Sequence, residues 1–303
     1  MRARTVVALV IGIAVCVVAV TWLVRADSDR RIPRGDSARG LPDAGMTDVA
    51  VTVNKGAEGG IPLDSLSLVI TYDNNPYAEG LRTEWGFSCF VMGPDKTILF
   101  DTGGEGDVLM ANIAGLGLDP ADVDAVVLSH EHRDHTGGLG EFLKANPEVT
   151  VYFPRSFGSG FRRRLGDGAG RAIEVKDPVA ICENVYSTGE MGISIKEQGL
   201  ILRTSRGLVV ITGCAHPGIV AMVERAESLA GDDVLLVLGG FHLVRAGEGE
   251  IGDVIAGLKN LGVRHAAPCH CSGDLAREMF GKEFGDRYIE AGVGRSLTAA
   301  DLD

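Results

Sequence analysis

Positive charge is scarce in this chain. Its 303 residues carry 29 Lys and Arg against 41 Asp and Glu, a formal net charge of −12. General nucleic-acid binding needs clustered cations to neutralise phosphates, so that class is excluded. Regular cysteine spacing is also missing. Cys16, Cys89, Cys182, Cys214, Cys269 and Cys271 follow no disulfide-scaffold pattern, and a chain of this length can bury a core without one. No internal repeat is visible. What is present is globular: 45% hydrophobic and 23% charged residues, with 42 glycines that suit a loop-rich α/β enzyme. The length allows one large domain or two small ones.

One long uncharged run stands apart, the 20 residues from Thr5 to Val24. As a helix it is long enough to cross a hydrocarbon core of about 30 Å. Residues 1–24 are therefore expected to be an uncleaved transmembrane anchor, with a signal peptide as the alternative. Arg25, Arg30 and Arg31 outnumber Arg2 and Arg4, which favours a cytoplasmic domain. A short leader with two arginines is equally typical of export, and we expect a membrane-anchored domain outside the cytoplasm. Residues 25–60, rich in Arg, Asp, Gly, Ala and Pro, read as a flexible tether. Residues 61–303 read as the folded domain.

Within it, strand-like runs cover Ser65–Tyr72, Gly86–Met92, Lys96–Phe100, Val123–Leu128 and Val149–Phe153. More follow at Ile193–Lys196, Leu200–Thr204, Leu208–Thr212, Val234–Leu238 and His265–Pro268, with a closing strand at Arg287–Ala291. Helical spacing marks Asp107–Leu116, Gly138–Ala145, Ile219–Ala230, Ile251–Leu261 and Asp274–Phe280. Residues 155–175 read as irregular and basic, and Arg162, Arg163 and Arg164 offer a phosphate or carboxylate site, or only a solvated turn.

Histidine is sparse, with seven residues, yet six of them fall at strand ends. Three sit in Ser129-His130-Glu131-His132-Arg133-Asp134-His135, directly after an apolar run, and Gly137-Gly138 follow. The others are His216 in Gly-Cys-Ala-His-Pro-Gly, His242 after Gly239-Gly240-Phe241, and His270 between Cys269 and Cys271. His265 is the exception. Strand ends in α/β sheets aim loop side chains at a common point. Imidazoles and a carboxylate packed this closely suit zinc or iron, so a metal site with hydrolytic chemistry is the first expectation.

The His130-x-His132-x-Asp134-His135 motif, with Leu128-Ser129 before it and Thr136-Gly137-Gly138 after, resembles the metallo-β-lactamase superfamily. Lys96–Gly103 (KTILFDTG) is similar to that family's early strand. The blocks TGCAHPG, GGFHL and PCHCSG resemble its dihydropterin ribofuranosylaminobenzene phosphate synthase-like subgroup. The resemblance spans roughly residues 65–295. It implies a four-layer αβ/βα sandwich with one or two divalent metal ions between two mixed sheets, zinc first, iron or manganese as alternatives. It further implies that His130 and His132 hold one ion, that Asp134, His135 and His270 hold the second, and that Asp101 supports the site.

Two departures follow. No histidine stands near Ser187–Met191, where the family's third motif has one, and Cys214 replaces the aspartate that usually follows Thr-Gly. His216 is the expected substitute ligand, with Cys214 and Glu190 as alternatives. The functional expectation is a hydrolase that acts on an ester or phosphoester through metal-activated water. Asp134 would orient that water, and His242 would be a ligand, a proton donor or only a loop anchor. The expected substrate is a small molecule, with an anion among the options. Two rivals stand beside it: a pterin-pathway transferase, and a non-catalytic metal or redox sensor using Cys269 and Cys271.

Overall fold

The computed structural model describes residues 59–303 except 167 and 168. The expected anchor at 1–24, and all of the tether but its last two residues, lie outside the described residues. Among the described residues no helix is long and apolar enough to cross a membrane.

Thirteen strands form two mixed sheets among the described residues. In chain order, the first sheet takes β1 (Ser67–Tyr72), β2 (Ser88–Met92), β3 (Ile98–Phe100), β4 (Ala125–Val127), β5 (Thr150–Pro154) and β6 (Arg171–Val175). The second takes β7 (Val179–Cys182), β8 (Val185–Ser187), β9 (Leu200–Thr204), β10 (Gly207–Thr212), β11 (Val234–Gly240) and β12 (His265–Cys269). The last strand, β13 (Ser296–Leu297), returns to the first sheet, whose order is β13-β1-β2-β3-β4-β5-β6. The second runs β12-β11-β10-β9-β8-β7. In the first sheet β3 through β6 are parallel, and in the second β10 through β12 are parallel. The carboxyl ends of these strands carry the histidine loops.

Strand alternation builds the layers. Ile98 and Phe100 of β3 point between the sheets, where they meet Val209 and Ile211 of β10 in one apolar cluster. Leu99 points the other way, onto helices α1 (Gly106–Gly115), α2 (Arg133–Thr136), α3 (Leu139–Ala145) and α4 (Ser159–Leu165) as a group, packing with Leu109, Phe142 and Phe161. Leu208 and Val210 of β10 point outward onto α5 (Ile219–Ala230), α6 (Glu248–Asn260) and α7 (Asp274–Phe284). Helix, sheet, sheet, helix is the expected four-layer sandwich. In α5 the buried Ile219, Met222, Val223, Ala226 and Ala230 recur at helical spacing. The helix stops at Gly231, whose φ of 73° suits a glycine cap, and its N–H reaches Glu227 O at 2.7 Å.

Three expectations fail. Residues 155–175 are not irregular: they hold α4 and β6. The arginines mask an apolar face, because Phe157, Phe161 and Leu165 fall four apart and the two phenylalanines pack on each other and on Phe153. Ile193–Lys196 is not a strand. Ile193 is 95% exposed, and the segment turns back on itself through a Met191–Glu197 bridge. The closing strand is β13, paired with β1, while Tyr288 in the expected segment makes only an isolated bridge to Ala266.

Candidate metal centre

The first sheet brings its candidate ligands in one loop. Asp101, a buried carboxylate, directly follows β3. Asp101 Oδ1 accepts from Ser129 N at 2.7 Å, and Oδ2 accepts from Ser129 Oγ at 2.7 Å. The same Oδ2 lies 2.7 Å from His135 Nδ1, which leaves Nε2 to face the interior of the site. Ser129 Oγ is also 2.9 Å from His130 Nδ1. Asp101 thus orients both histidines, the supporting role expected of it. His130 Nε2 and His132 Nδ1 stand 3.0 Å apart. Asp134, in the single turn of α2, puts Oδ2 3.6 Å from His135 Nε2 and 3.5 Å from His270 Nε2.

The second sheet delivers its ligands from three separate loops. After β10 the backbone amides of residues 213–216 wrap around the buried Glu197. Oε1 accepts from Gly213 at 3.1 Å and from Cys214 and Ala215 at 2.9 Å, and Oε2 accepts from His216 at 2.9 Å. Gly213 is required here, since a Cβ would lie 2.1 Å from Ser129 Oγ. Held this way, Cys214 Sγ is 3.2 Å from His135 Nε2 and 3.5 Å from His270 Nε2. After β12, His270 is tied to the end of β1. Its N–H donates to Asp73 Oδ2 at 3.1 Å and its Nδ1 pairs with Asn74 Oδ1 at 2.9 Å. At the end of β11 the chain passes so close to Cys271 that a Cβ on Gly240 would sit 2.6 Å from its Sγ.

Backbone conformation concentrates at the same place. Among the described residues five non-glycine residues have positive φ, and four are Asp101 (58°), Ala215 (57°), His242 (56°) and His270 (47°). Such conformations cost about 1–3 kcal/mol each and persist where surrounding bonds over-determine them, which is typical of functional sites.

Three donor groups result, each with its ligand atoms within 4.8 Å of one another: Asp134, His135, Cys214 and His270; His130, Cys214 and His216; and Cys214, His242 and Cys271. Cys214 belongs to all three, although the sequence ranked it below His216. His132 closes the second group, with ring centroids 4.6 Å from His130 and 5.0 Å from His216. The ring of His242 lies 4.3 Å from that of His216, tilted by 56°. Glu190 falls outside these groups, its carboxylate taken by Ser156 N at 2.5 Å. Cys269 is not paired with Cys271 either. It is buried between the sheets and bonded to Asp73, while Cys271 meets Cys214 and His242. Arg162 is occupied by Glu174 at 2.6 Å and by the Arg155 carbonyl, so it is tied to the chain around its own helix.

The electrostatics divide the cluster. Burial, then the neighbouring His135 and His132, holds His130 well below the usual histidine value. Burial, then His242 and His132, pushes His216 down to about 4. Both are neutral imidazoles at pH 7, the form that binds metal. Burial opposes a charge on His135 as well, but Asp101 and Asp134 outweigh it and raise that residue to about 9. Burial also works to raise Asp134, yet its bond to His270 and the charge of His135 hold it well below the usual carboxylate range. The contact with Cys271 and burial push the Cys214 thiol well up. His216 Nε2, buried, has no hydrogen-bond partner. An orphaned imidazole nitrogen among anionic, thiol and imidazole donors is what a site for a divalent cation requires.

Several of these residues carry no signal in a sequence. Glu197 lies between two segments read as strands, Ile193–Lys196 and Leu200–Thr204. Asp73 and Asn74 follow the strand-end rule but lack a histidine to flag them.

Comparison with known proteins bears on the family. The model of the metallo-β-lactamase superfamily matches residues 83–225. The 7,8-dihydropterin-6-methyl-4-(β-D-ribofuranosyl)-aminobenzene-5′-phosphate synthase of Methanocaldococcus jannaschii is 30% identical over 250 residues, covering 68% of this chain and 85% of that protein. The chain belongs to the metallo-β-lactamase superfamily. The crystal structure of Tm1679, a metal-dependent hydrolase of that superfamily, superposes with a TM-score of 0.66 at 27% identity, covering 77% of this chain and 98% of the other. Human metallo-β-lactamase domain-containing protein 1 is 41% identical over 126 residues, covering 38% of this chain and 42% of that protein.

Proposed function

We propose that this superfamily member is a metal-dependent hydrolase of esters or phosphoesters, with zinc as the first candidate ion and iron or manganese as alternatives. The observation that carries the reading is the convergence of donors from both sheets on the orphaned His216 Nε2 and on Cys214. His130, His132 and His216 would hold one ion, Asp134, His135 and His270 a second, and Cys214 stands between them. A divalent ion held here acidifies water and polarises a substrate oxygen. Asp134 is ionised and partly exposed, so it can orient that water and accept a proton. His242 is exposed in the same cavity, and its bond to Cys271 raises its pKa, which suits a proton donor to the leaving group. Residues 1–24 would anchor the enzyme to a membrane, with the domain outside the cytoplasm.

The M. jannaschii synthase supports a second reading, a pterin-pathway transferase that uses the same ions as Lewis acids. The rival non-catalytic sensor would bind metal without turnover. Elemental analysis of the full chain separates these readings when run with an ester and phosphodiester screen and a pterin-diphosphate coupling assay. Metal with hydrolysis supports the hydrolase. Metal with coupling alone overturns it for the transferase, and metal with neither leaves the sensor.

A further inference from the structure

Beside the donor groups lies a cavity of about 500 Å³, within the range that takes metabolite-sized ligands. Its lining is acidic where it meets the cluster, at Asp134, and again at Glu250. One cation, Arg245, faces it among the described residues. No carboxylate lies within ion-pair distance of Arg245 among the described residues, although the chain is strongly acidic. Two other arginines have carboxylate partners. Arg133, in the adjoining cleft, is 2.7 Å from Glu105, and Arg82 is 2.8 Å from Asp107.

The loop that carries Arg245 is built rather than loose. Phe241 and Leu243 are buried on either side of His242, so the chain is anchored at two points. Val244 N donates to Cys271 O at 3.0 Å, and Ala246 N donates to Leu243 O at 2.9 Å. Val244 packs on Gly273 so tightly that a Cβ there would meet its Cα at 2.7 Å. These bonds fix the root of the guanidinium relative to His270 and Cys271. The same cavity exposes apolar surface. Trp85 is 46% exposed with its ring centroid 4.9 Å from that of His270, and Val244 is 48% exposed. Indole surface left open beside a polar centre is surface that a ligand covers.

We propose that Arg245 is the anion-reading residue of the site, and that the substrate is an ester with an aromatic or apolar body and a carboxylate or phosphate group away from the scissile bond. Trp85 and Val244 receive the body and Arg245 the anion. A planar guanidinium pairs with either anion in two-point fashion, which a lysine does not reproduce. The proposal deepens the hydrolase reading and rests on it for the word substrate, but its binding claim is separable.

The test is calorimetric titration of the metal-loaded full chain with phenyl phosphate, phenylacetate and the neutral phenylacetamide, repeated for Arg245→Ala, Arg245→Lys and Trp85→Ala. Arg245→Ala is expected to weaken the preferred anion roughly tenfold, about the worth of one charged hydrogen-bond pair, and to leave the amide unchanged. Arg245→Lys should fall between. Trp85→Ala should weaken all three. The anion that loses more on Arg245→Ala identifies carboxylate or phosphate. Equal losses for anion and amide, or no loss for either anion, overturn the proposal. Anion selectivity without cleavage of any ester would sustain the Arg245 site and remove the hydrolase reading. Cleavage of neutral esters without anion selectivity would do the reverse.

Discussion

The two sheets supply the same centre by opposite routes. The first sheet packs His130, His132, Asp134 and His135 into six consecutive positions and sets two of the histidines with a single carboxylate, Asp101. The second sheet draws Cys214, His216, His242 and His270 from three loops spread over more than fifty residues, and sets them with Glu197, Asp73 and Asn74. The first half is therefore a local device, whose geometry follows from one strand, one turn and one buried acid. The second half exists only when β10, β11 and β12 are in parallel register, because register alone brings their ends level. Protonation does not follow that division. His135 is held as a cation in metal-free protein, while His130 and His216 are held neutral.

The sharpest way to break the comparison is Asp134→Ala. Asp134 belongs to the local half but reaches His270 of the dispersed half at 3.5 Å. Loss of its carboxylate is expected to lower kcat by at least about a hundredfold with the melting temperature little changed. Unchanged turnover would remove Asp134 from the chemistry.

Next in size are Cys214→Ser and His216→Ala. Cys214 stands in all three donor groups, His216 in one. Both substitutions should weaken metal binding by roughly 10–100-fold. In elemental analysis His216→Ala is expected to lose one ion and keep the other, whereas Cys214→Ser should deplete both. Equal stoichiometry in the two variants would mean that Cys214 does not bridge the halves.

Glu197→Ala addresses the scaffold of the dispersed half alone. It would strip four backbone amides of their acceptor. Buried donors left unpaired cost on the order of 1–3 kcal/mol each before relaxation or water entry, so a net loss of about 3 kcal/mol is expected in denaturant unfolding. Glu197→Gln keeps acceptor oxygen and should lose less. A loss confined to metal binding, with stability intact, would show that the loop holds its shape without Glu197.

These contrasts explain how much of the molecule was legible beforehand. The local half was readable because its ligands, its strand and its glycines are contiguous, and α5 was readable because its apolar residues keep a clean period. His216 is the expected substitute ligand because it stands two residues beyond Cys214, and the structure groups it with Cys214 and His130. Glu197 carries no such mark, because its role is set by four amides sixteen to nineteen residues away, and nothing near it in sequence reports that. The hairpin β7–β8 is short and half-exposed, so alternation gave no signal. Helix α4 was hidden by its own arginines. Of the arginines read as a phosphate or carboxylate site, Arg162 bonds to the chain that surrounds it.

The smallest effect tests the rule that linked histidines to strand ends. His265 opens β12, whereas His270 follows its last residue, five positions and roughly 16 Å of extended chain away. Its Nδ1 lies 3.1 Å from Leu235 O, and it belongs to no donor group. Burial, which outweighs that bond, lowers its pKa below 6.5. The unfolded chain then takes up a proton near pH 6.5 before the folded chain does. The stability that His265 contributes is complete above that pH and is lost as pH falls through the folded value. His265→Gln removes this titration, so the melting temperature of the variant should fall less than that of the wild type between pH 7.5 and 5.5, by about one or two degrees. Its metal content at pH 7.5 should equal that of the wild type. Loss of an ion in this variant would place His265 in the centre after all, and the separation of strand-end from strand-start histidines would have no meaning for this fold.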